Sequence, residues 1–247
     1  MRKAGSIVGD TLAMLAERVK PGIRTKDLDE WARQEVAKQG GRPSFPEVIH
    51  PELGTPFPGA ICVSVNDEIV HGIPSDRVLV DGDVVSIDLG VIYQGFHADS
   101  ATTVPVGTVS RDAAKLLSGT QEALRRGIER VQPGRGLYEV SSAIDQYATS
   151  KGLGIVRQYV GHGIGRSMHE PPQIPNYRMS SRGPLLRPGW ALAIEPMLNL
   201  GSGETQVRPD RWTVATADGS LSAHFEHTVA VTPKGRWILT LPNGAAA

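Results

Sequence analysis

Cys62 is the chain's only cysteine. That excludes an intramolecular disulfide framework and any metal cage built from thiolates alone. Long hydrophobic runs are missing as well. No apolar stretch exceeds five residues, as in Trp190–Ile194, against the roughly 20 that a membrane helix needs. The chain also lacks a charge of either sign, because 26 Lys+Arg offset 26 Asp+Glu. A polyanion binder needs a basic stripe, so nucleic acid is not an expected ligand. The opening residues, MRKAGSIVGDTLAM, have neither an apolar core segment nor a small-residue cleavage site after Arg2 and Lys3, which argues against a secretory signal. The expectation is a soluble protein of a reducing compartment. Its 247 residues are enough to bury about 70–75% of the unfolded surface without staples.

What is present reads as helices alternating with short strands. Ala4, Ile7, Val8, Leu12, Leu15 and Val19 form one helical stripe, stopped by Pro21-Gly22. Asp27 and Glu30 resemble a capping box opening a second helix, with Leu28, Trp31, Ala32 and Val36 as its apolar face. The segment from Gly41 to Gly59 holds Pro43, Pro46, Pro51, Pro56 and Pro58 and reads as an ordered surface loop. Strand-like runs follow at Ile61–Val65, Val84–Leu89 and Ala101–Val106. Two more helical stripes run from Leu116 to Val131 and from Leu137 to Tyr147. Strands are expected at Ile155–Tyr159, Ala191–Leu200, Trp212–Thr216 and Glu226–Thr232. The pattern is α+β, with helices covering one face of an antiparallel sheet.

An internal repeat organises these elements. Arg18-Val19-Lys20-Pro21-Gly22 returns 112 residues later as Arg130-Val131-Gln132-Pro133-Gly134, and the helices that follow end at Gly40 and Gly152. His71-Gly72-Ile73 returns as His162-Gly163-Ile164. Leu79-Val80-Asp81-Gly82 leading to Ile87-Asp88 returns as Leu186-Arg187-Pro188-Gly189 leading to Ile194-Glu195. His97-Ala98-Asp99 returns as His224-Phe225-Glu226. One such match is unremarkable, but five in the same order describe a single domain, 1–247, of two halves, about 1–107 and 108–247, sharing a sheet about a pseudo-two-fold axis.

The repeat duplicates carboxylates. Asp88 and Asp99 in the first half correspond to Glu195 and Glu226 in the second, each in or beside an apolar strand. A lone inward carboxylate is ordinarily satisfied by backbone N–H groups or an arginine. Four converging on one axis repel one another, and divalent cations neutralise them. A histidine added to that set suits two adjacent first-row metal ions bridged by water. His71, His162 and His169 are the candidates, although an isolated histidine is more often structural. The Gly161-x-Gly163-x-Gly165 run imitates a phosphate loop, but Pro171-Pro172 follows too closely for a helix to open there. Neither a G-x-S-x-G elbow nor an H-E-x-x-H pair occurs.

Seven segments carry a family resemblance: VSVNDEIVHGIP (63–74), SIDLG (86–90), HADSA (97–101), GHGIGR (161–166), MHE (168–170), AIEPM (193–197) and AHFEHT (223–228). Taken in order over nearly the whole chain, they resemble the type I methionine aminopeptidases, in their short bacterial form. Only 31 residues separate Glu195 from Glu226, which leaves no room for the insertion of the type II enzymes. The resemblance implies the pita-bread fold and hydrolytic removal of the initiator methionine from nascent proteins and peptides. It implies two divalent ions (Co, Mn, Fe or Zn) held by Asp88, Asp99, His162, Glu195 and Glu226, with a water bridging them as nucleophile. Glu195 would shuttle the proton, His169 would donate to the developing oxyanion, and His71 to the scissile amide nitrogen. Cys62, Phe57, Met168 and Trp212 would line the methionine pocket, with Phe45 a lesser candidate. For Cys62 and Trp212 a plain core role is the alternative. Asn66, Glu68 and Ser222 match the family's backbone-carbonyl site for a monovalent cation.

The resemblance further implies a cytoplasmic monomer that neither enters membranes nor binds nucleic acid directly, and transient ribosome association fits the nascent-chain substrate. Two departures stand out. The Pro43–Pro58 loop is longer than the compact Gly-Tyr loop common in the family, and Leu89 and Met168 replace the usual cysteine and phenylalanine. A prolidase or Xaa-Pro aminopeptidase would use a similar ligand set. Non-catalytic pita-bread relatives, including ribosome- and RNA-associated ones, typically lose ligands, whereas all five are kept here.

Overall fold

The computed structural model describes residues 1–243. Helix α1 (Arg2–Arg18) buries Ala4, Ile7, Val8, Leu12 and Leu15 along one stripe. Helix α2 (Thr25–Lys38) starts two residues before the expected Asp27 box. Asp27 is its third residue instead, and the carboxylate accepts the Arg24 backbone N–H at 3.0 Å, which satisfies an orphan donor of the first turn from inside the helix. The Pro-rich segment holds a short strand β1 (Arg42–Pro43), a 3-10 turn over Phe45–Glu47 and a lone bridge from Ile49 to Pro56. Phe45 and Phe57 are buried, so the loop is anchored to the core by an aromatic near each end.

Strands β2 (Cys62–Val65), β3 (Glu68–Val70), β4 (Val84–Tyr93) and β5 (Phe96–Pro105) complete the first half. β4 and β5 outrun the expected spans because they form one long hairpin, in register from Val84↔Pro105 to Tyr93↔Phe96. Gln94 and Gly95 turn it with φ of 50° and 77°, the pair of positive values that a type I′ turn requires. The hairpin carries Asp88 outward and Asp99 back along adjacent strands.

In the second half, α3 (Arg111–Glu129) is capped by the Ser110 hydroxyl, which accepts the Ala113 N–H at 3.1 Å. α4 (Tyr138–Ser150), β6 (Gly154–Ile155), β7 (Gly161–Gly163), β8 (Glu170–Ile174), β9 (Ala191–Ile194), β10 (Met197–Asn199), β11 (Thr205–Val207), β12 (Val214–Thr216), β13 (Ser222–His224), β14 (His227–Thr232) and β15 (Gly235–Ile238) follow. The expected Ile155–Tyr159 strand reduces to Gly154–Ile155, paired with β10. The Ala191–Leu200 run divides at Glu195-Pro196, since proline brings no N–H to a ladder. Pro171 and Pro172 sit in β8, the outermost strand of its sheet, where a missing donor faces no neighbour.

The repeat recurs in the hydrogen bonds. Gly22 N–H donates to Leu79 O and Gly134 N–H to Leu186 O, both at 2.8 Å. Gly82 N–H donates to Val106 O at 2.9 Å, and Gly189 N–H to Val231 O at 3.0 Å. The pairing of His71 with His162 is the exception. His162 lies within β7, whose neighbours are β8 and β9, whereas His71 follows β3, which pairs with β12.

Each half has its own core. Ile7, Leu15 and Leu28 pack with Val63, Ile87 and Leu89, while Leu116, Ile128 and Ile144 pack with Leu192, Ile194 and Val229. The ladders divide into four sheets, β1-β4-β2 with β5 on β4, β13-β10-β6, β11-β12-β3 and β15-β14-β9-β7-β8. The two largest meet where β5 runs beside β14.

Candidate metal centre

The seam between β5 and β14 is sewn largely by hydroxyl side chains rather than by a regular ladder. Thr228 Oγ1 accepts the Asp99 N–H at 2.9 Å and donates to Asp99 O at 2.7 Å. Glu226 N–H donates to Ala101 O at 2.9 Å, and the Ser100 hydroxyl donates to Glu226 O. Thr103 Oγ1 donates to His224 O at 2.6 Å and accepts His224 N–H at 2.9 Å. These bonds fix the backbones of Asp99 and Glu226 side by side across the two halves. Asp88 reaches the same place from β4, beside Cys62 and Ala101. Glu195 follows β9 at the proline break, where the buried Asn176 amide donates to its carbonyl at 3.0 Å.

His162 completes the group from β7, whose ladder shifts register between His162 and Gly163. Such a bulge re-aims a side chain. The His162 Nδ1–H donates to Gly163 O at 2.8 Å, which fixes the tautomer and leaves Nε2 as a free lone pair, the form that binds metals. Nε2 lies 3.6 Å from Glu195 Oε1. Ligand atoms of Asp99, His162 and Glu226 all fall within 4.8 Å of one another.

The electrostatics call for positive charge. Burial, then the negative neighbours Asp99 and Glu195, pushes the Asp88 carboxyl well above the usual range. Burial followed by Asp99 does the same to Glu195, and burial with all three other carboxylates does it to Glu226. Asp99 rises to about 7, chiefly through burial. Asp88 Oδ1, Asp99 Oδ1 and Glu226 Oε1 are buried without any hydrogen-bond partner. Among the described residues no lysine or arginine pairs with the four carboxylates; the ion-pair partners of Glu195 are His162 and His224 alone. Orphaned buried oxygens, four acidic groups and one oriented imidazole make a donor set that fits divalent cations.

A cavity of about 770 Å³ opens over this group. Asp88, Asp99, His162, Glu195 and Glu226 line it, as do His71, His169, Cys62, Phe57 and Trp212. Burial and the nearby His169 lower the His71 pKa to about 4, and burial with His169 takes His162 to about 4 as well. His71 has φ of +60°, a strained setting for a non-glycine residue of the sort that clusters at functional sites. His169 is open to the cavity, yet enough protein surrounds it to lower its pKa. Burial raises the Cys62 thiol, with the carboxylates adding to it, so Cys62 is a neutral apolar wall rather than a nucleophile.

Phe45, Phe57, Cys62, Ile164 and Met168 share one apolar cluster with Trp212 at its edge. Met168 is not among the cavity-lining residues. Its methyl instead lies over Gly90 of β4, where a Cβ would come within 2.9 Å. The structure does join Asn66 to Ser222, but through the Ser222 N–H donating to Asn66 O at 2.9 Å. The Asn66 amide is engaged with Asp83 and Val84, and the Glu68 carboxylate accepts the Val65 N–H at 2.8 Å. Sequence reasoning passed over four residues as site candidates: His50, Tyr159, His224 and Asn176. Only His224 had a signal, its place in the fifth repeat match. It is buried, and its Nε2 lies 3.5 Å from Glu195 Oε2.

Residues 1–233 match the profile of metallopeptidase family M24. The chain is 50% identical over 240 residues to methionine aminopeptidase 1 of Bacillus subtilis, covering 97% of this chain and 94% of that one. It is 48% identical to the methionine aminopeptidase of Clostridium perfringens, covering 98% and 94% of the two chains. The crystal structure of the Thermotoga maritima methionine aminopeptidase superposes with a TM-score of 0.92 at 40% identity, over 98% of this chain and 95% of that one. A prolidase from Pyrococcus furiosus shares the fold alone, with a TM-score of 0.75 at 23% identity over 97% of this chain and 62% of its own.

Proposed function

Because the chain belongs to metallopeptidase family M24 and has its pita-bread fold, we propose that it removes the N-terminal methionine from newly made proteins and peptides, and that both halves act as one catalytic unit. The observation that carries this is the buried, unpaired carboxylate cluster at the floor of an apolar-walled cavity. Asp88, Asp99, His162, Glu195 and Glu226 would hold two divalent ions, Asp99 and Glu226 standing at the seam where a shared ligand belongs. Such ions supply Lewis acidity and make water acidic enough to attack at neutral pH.

The chain's own groups do the rest. Glu195 takes the proton of the attacking water at its carboxylate and returns it to the leaving amine; its burial beside other carboxylates raises its proton affinity toward that task. His169 donates an N–H to the oxygen on which charge develops, and His71 donates to the nitrogen of the scissile bond as that nitrogen loses its amide resonance and gains a lone pair. Burial takes the His71 pKa to about 4 and lowers that of His169, which favours the neutral form of each, an N–H donor that adds no cation beside the ions. Cys62, Phe57 and Trp212 form a wall suited to an unbranched thioether. The free α-amine of the substrate would be drawn to the metal-loaded carboxylate cluster, which makes the reaction exopeptidic.

The substrate places the protein in the cytoplasm, acting as a monomer on chains leaving the ribosome. No helix among the described residues is long and apolar enough to cross a membrane. The deciding experiment is anaerobic reconstitution with Mn, Fe, Co or Zn, followed by release of methionine from Met-Ala-Ser and of the first residue from an Xaa-Pro peptide. Cleavage of the first alone is expected. Cleavage of the second alone would assign a prolidase-type activity.

A further inference from the structure

The lengthened segment between Ser44 and Pro58 is fastened across the cavity by one histidine. His50 Nδ1 accepts the backbone N–H groups of Glu52 and Leu53, both at 3.1 Å. Its proton therefore sits on Nε2, which donates to Arg211 O at 3.0 Å, 161 residues away. A Glu52–Arg211 ion pair lies alongside. The bonds hold two separate stretches, Val48–Glu52 and Val207–Trp212, on the wall of one cavity. The imidazole also meets Trp212 edge to face at 4.8 Å. Trp212 meets Phe57 at 5.2 Å, and Phe57 meets Phe45 at 6.1 Å, all near perpendicular. Four rings thus stand in a row, and the outermost, His50, is hydrogen-bonded to both stretches. Edge-to-face contacts of this kind fix the orientation of each ring against the next.

We propose that His50 is a specificity-determining positioning residue. By tethering the 44–58 segment to the 208–212 turn, it sets the pose of Trp212 and Phe57, and so the width of the wall against which an unbranched methionyl side chain packs. His50 touches no reacting atom; it acts through Trp212. The inference rests on the methionine-specific reading above. Without the tether the wall gives way, and branched side chains such as leucine and isoleucine enter.

The test compares wild type, His50→Asn and His50→Phe, each metal-loaded, on Met-Ala-Ser, Leu-Ala-Ser and Ile-Ala-Ser. Asparagine places its Oδ1 where Nδ1 accepts the two N–H groups, so the local turn survives while the reach to Arg211 is lost. Phenylalanine keeps a ring edge against Trp212 and loses every hydrogen bond. For both variants the preference for methionine over leucine in kcat/KM should fall about tenfold, the size of one misfit in an apolar pocket. KM for Met-Ala-Ser should rise while kcat holds, at an unchanged melting temperature for His50→Asn. An unchanged preference in His50→Asn overturns the proposal. So does a parallel loss of kcat and melting temperature at constant preference, which would mark a purely structural residue. A wild type that leaves Met-Ala-Ser uncut is a different result: it rejects the methionine reading itself, and this inference with it.

Discussion

Asp88, Asp99 and Glu226 differ from the other acids among the described residues in having buried oxygens that nothing in the protein satisfies, and the metal-binding role descends from that. An unpaired buried carboxylate costs several kcal/mol unless it is neutralised; here neutralisation is the function. Glu195→Gln keeps the shape and removes the proton acceptor, so turnover of Met-Ala-Ser should fall about 10²–10⁴-fold, the range for one general acid–base group. Circular dichroism and melting should show the fold retained, and substantial residual activity would remove Glu195 from the shuttle role. His71→Ala should lower kcat about 10²–10³-fold, as for loss of one hydrogen-bond donor to a transition state, with bound metal unchanged by atomic absorption; loss of metal instead would make His71 a ligand. The four carboxylates were legible in the sequence because they recur at matching positions of the two halves, in or beside apolar strands, whereas the site histidines stood out only through the family resemblance. His50 and Asn176 were not legible, since each works through a single bond to a distant carbonyl, and local sequence holds no trace of such a bond.

At the scale of elements, the β5–β14 seam does the positioning. Thr228 gives and takes a hydrogen bond at the same residue, Asp99. Thr228→Val keeps the volume and strands two buried backbone groups, each costing about 1–3 kcal/mol. Calorimetric melting should register that loss, and metal affinity should fall because Asp99 is no longer held at the seam. A variant with wild-type melting and metal affinity would show that the seam is held elsewhere. The four helices were visible as apolar stripes because each buries one face against its own half. The strands were harder to read. The β4–β5 hairpin runs past the expected spans because Gly90 interrupts the apolar run before the buried Val91 and Ile92, while pairing continues to the Gln94-Gly95 turn. Ile155–Tyr159 looks like a strand but has a partner only at its start, where Ile155 meets Leu198. Short strands that cross between halves carry no period long enough to detect.

The whole molecule has no net formal charge, yet it concentrates four acids at its centre. Asp88, Asp99, Glu195 and Glu226 all bind protons more tightly folded than unfolded. Their contribution to stability is therefore full below the ordinary carboxylate range and is lost as pH rises through the raised folded values. Below about pH 7 the buried His71, His162, His224 and His227, whose pKa values lie well under the free value, oppose this trend, so the window to use lies above it: metal-free protein should melt at a lower temperature at pH 9 than at pH 7.5, and saturating divalent cation should reverse that loss by binding only the folded state. A metal-free melting temperature that climbs from pH 7.5 to pH 9 would contradict the charged-cluster account. The most direct test of that account is one anaerobic titration of stripped protein with Mn, Fe or Co, recording bound metal by equilibrium dialysis and methionine released from Met-Ala-Ser on the same samples. Release should be absent without metal, rise in step with occupancy, and vanish together with binding in Glu226→Ala; full release from metal-free protein, or undiminished binding in Glu226→Ala, would contradict it.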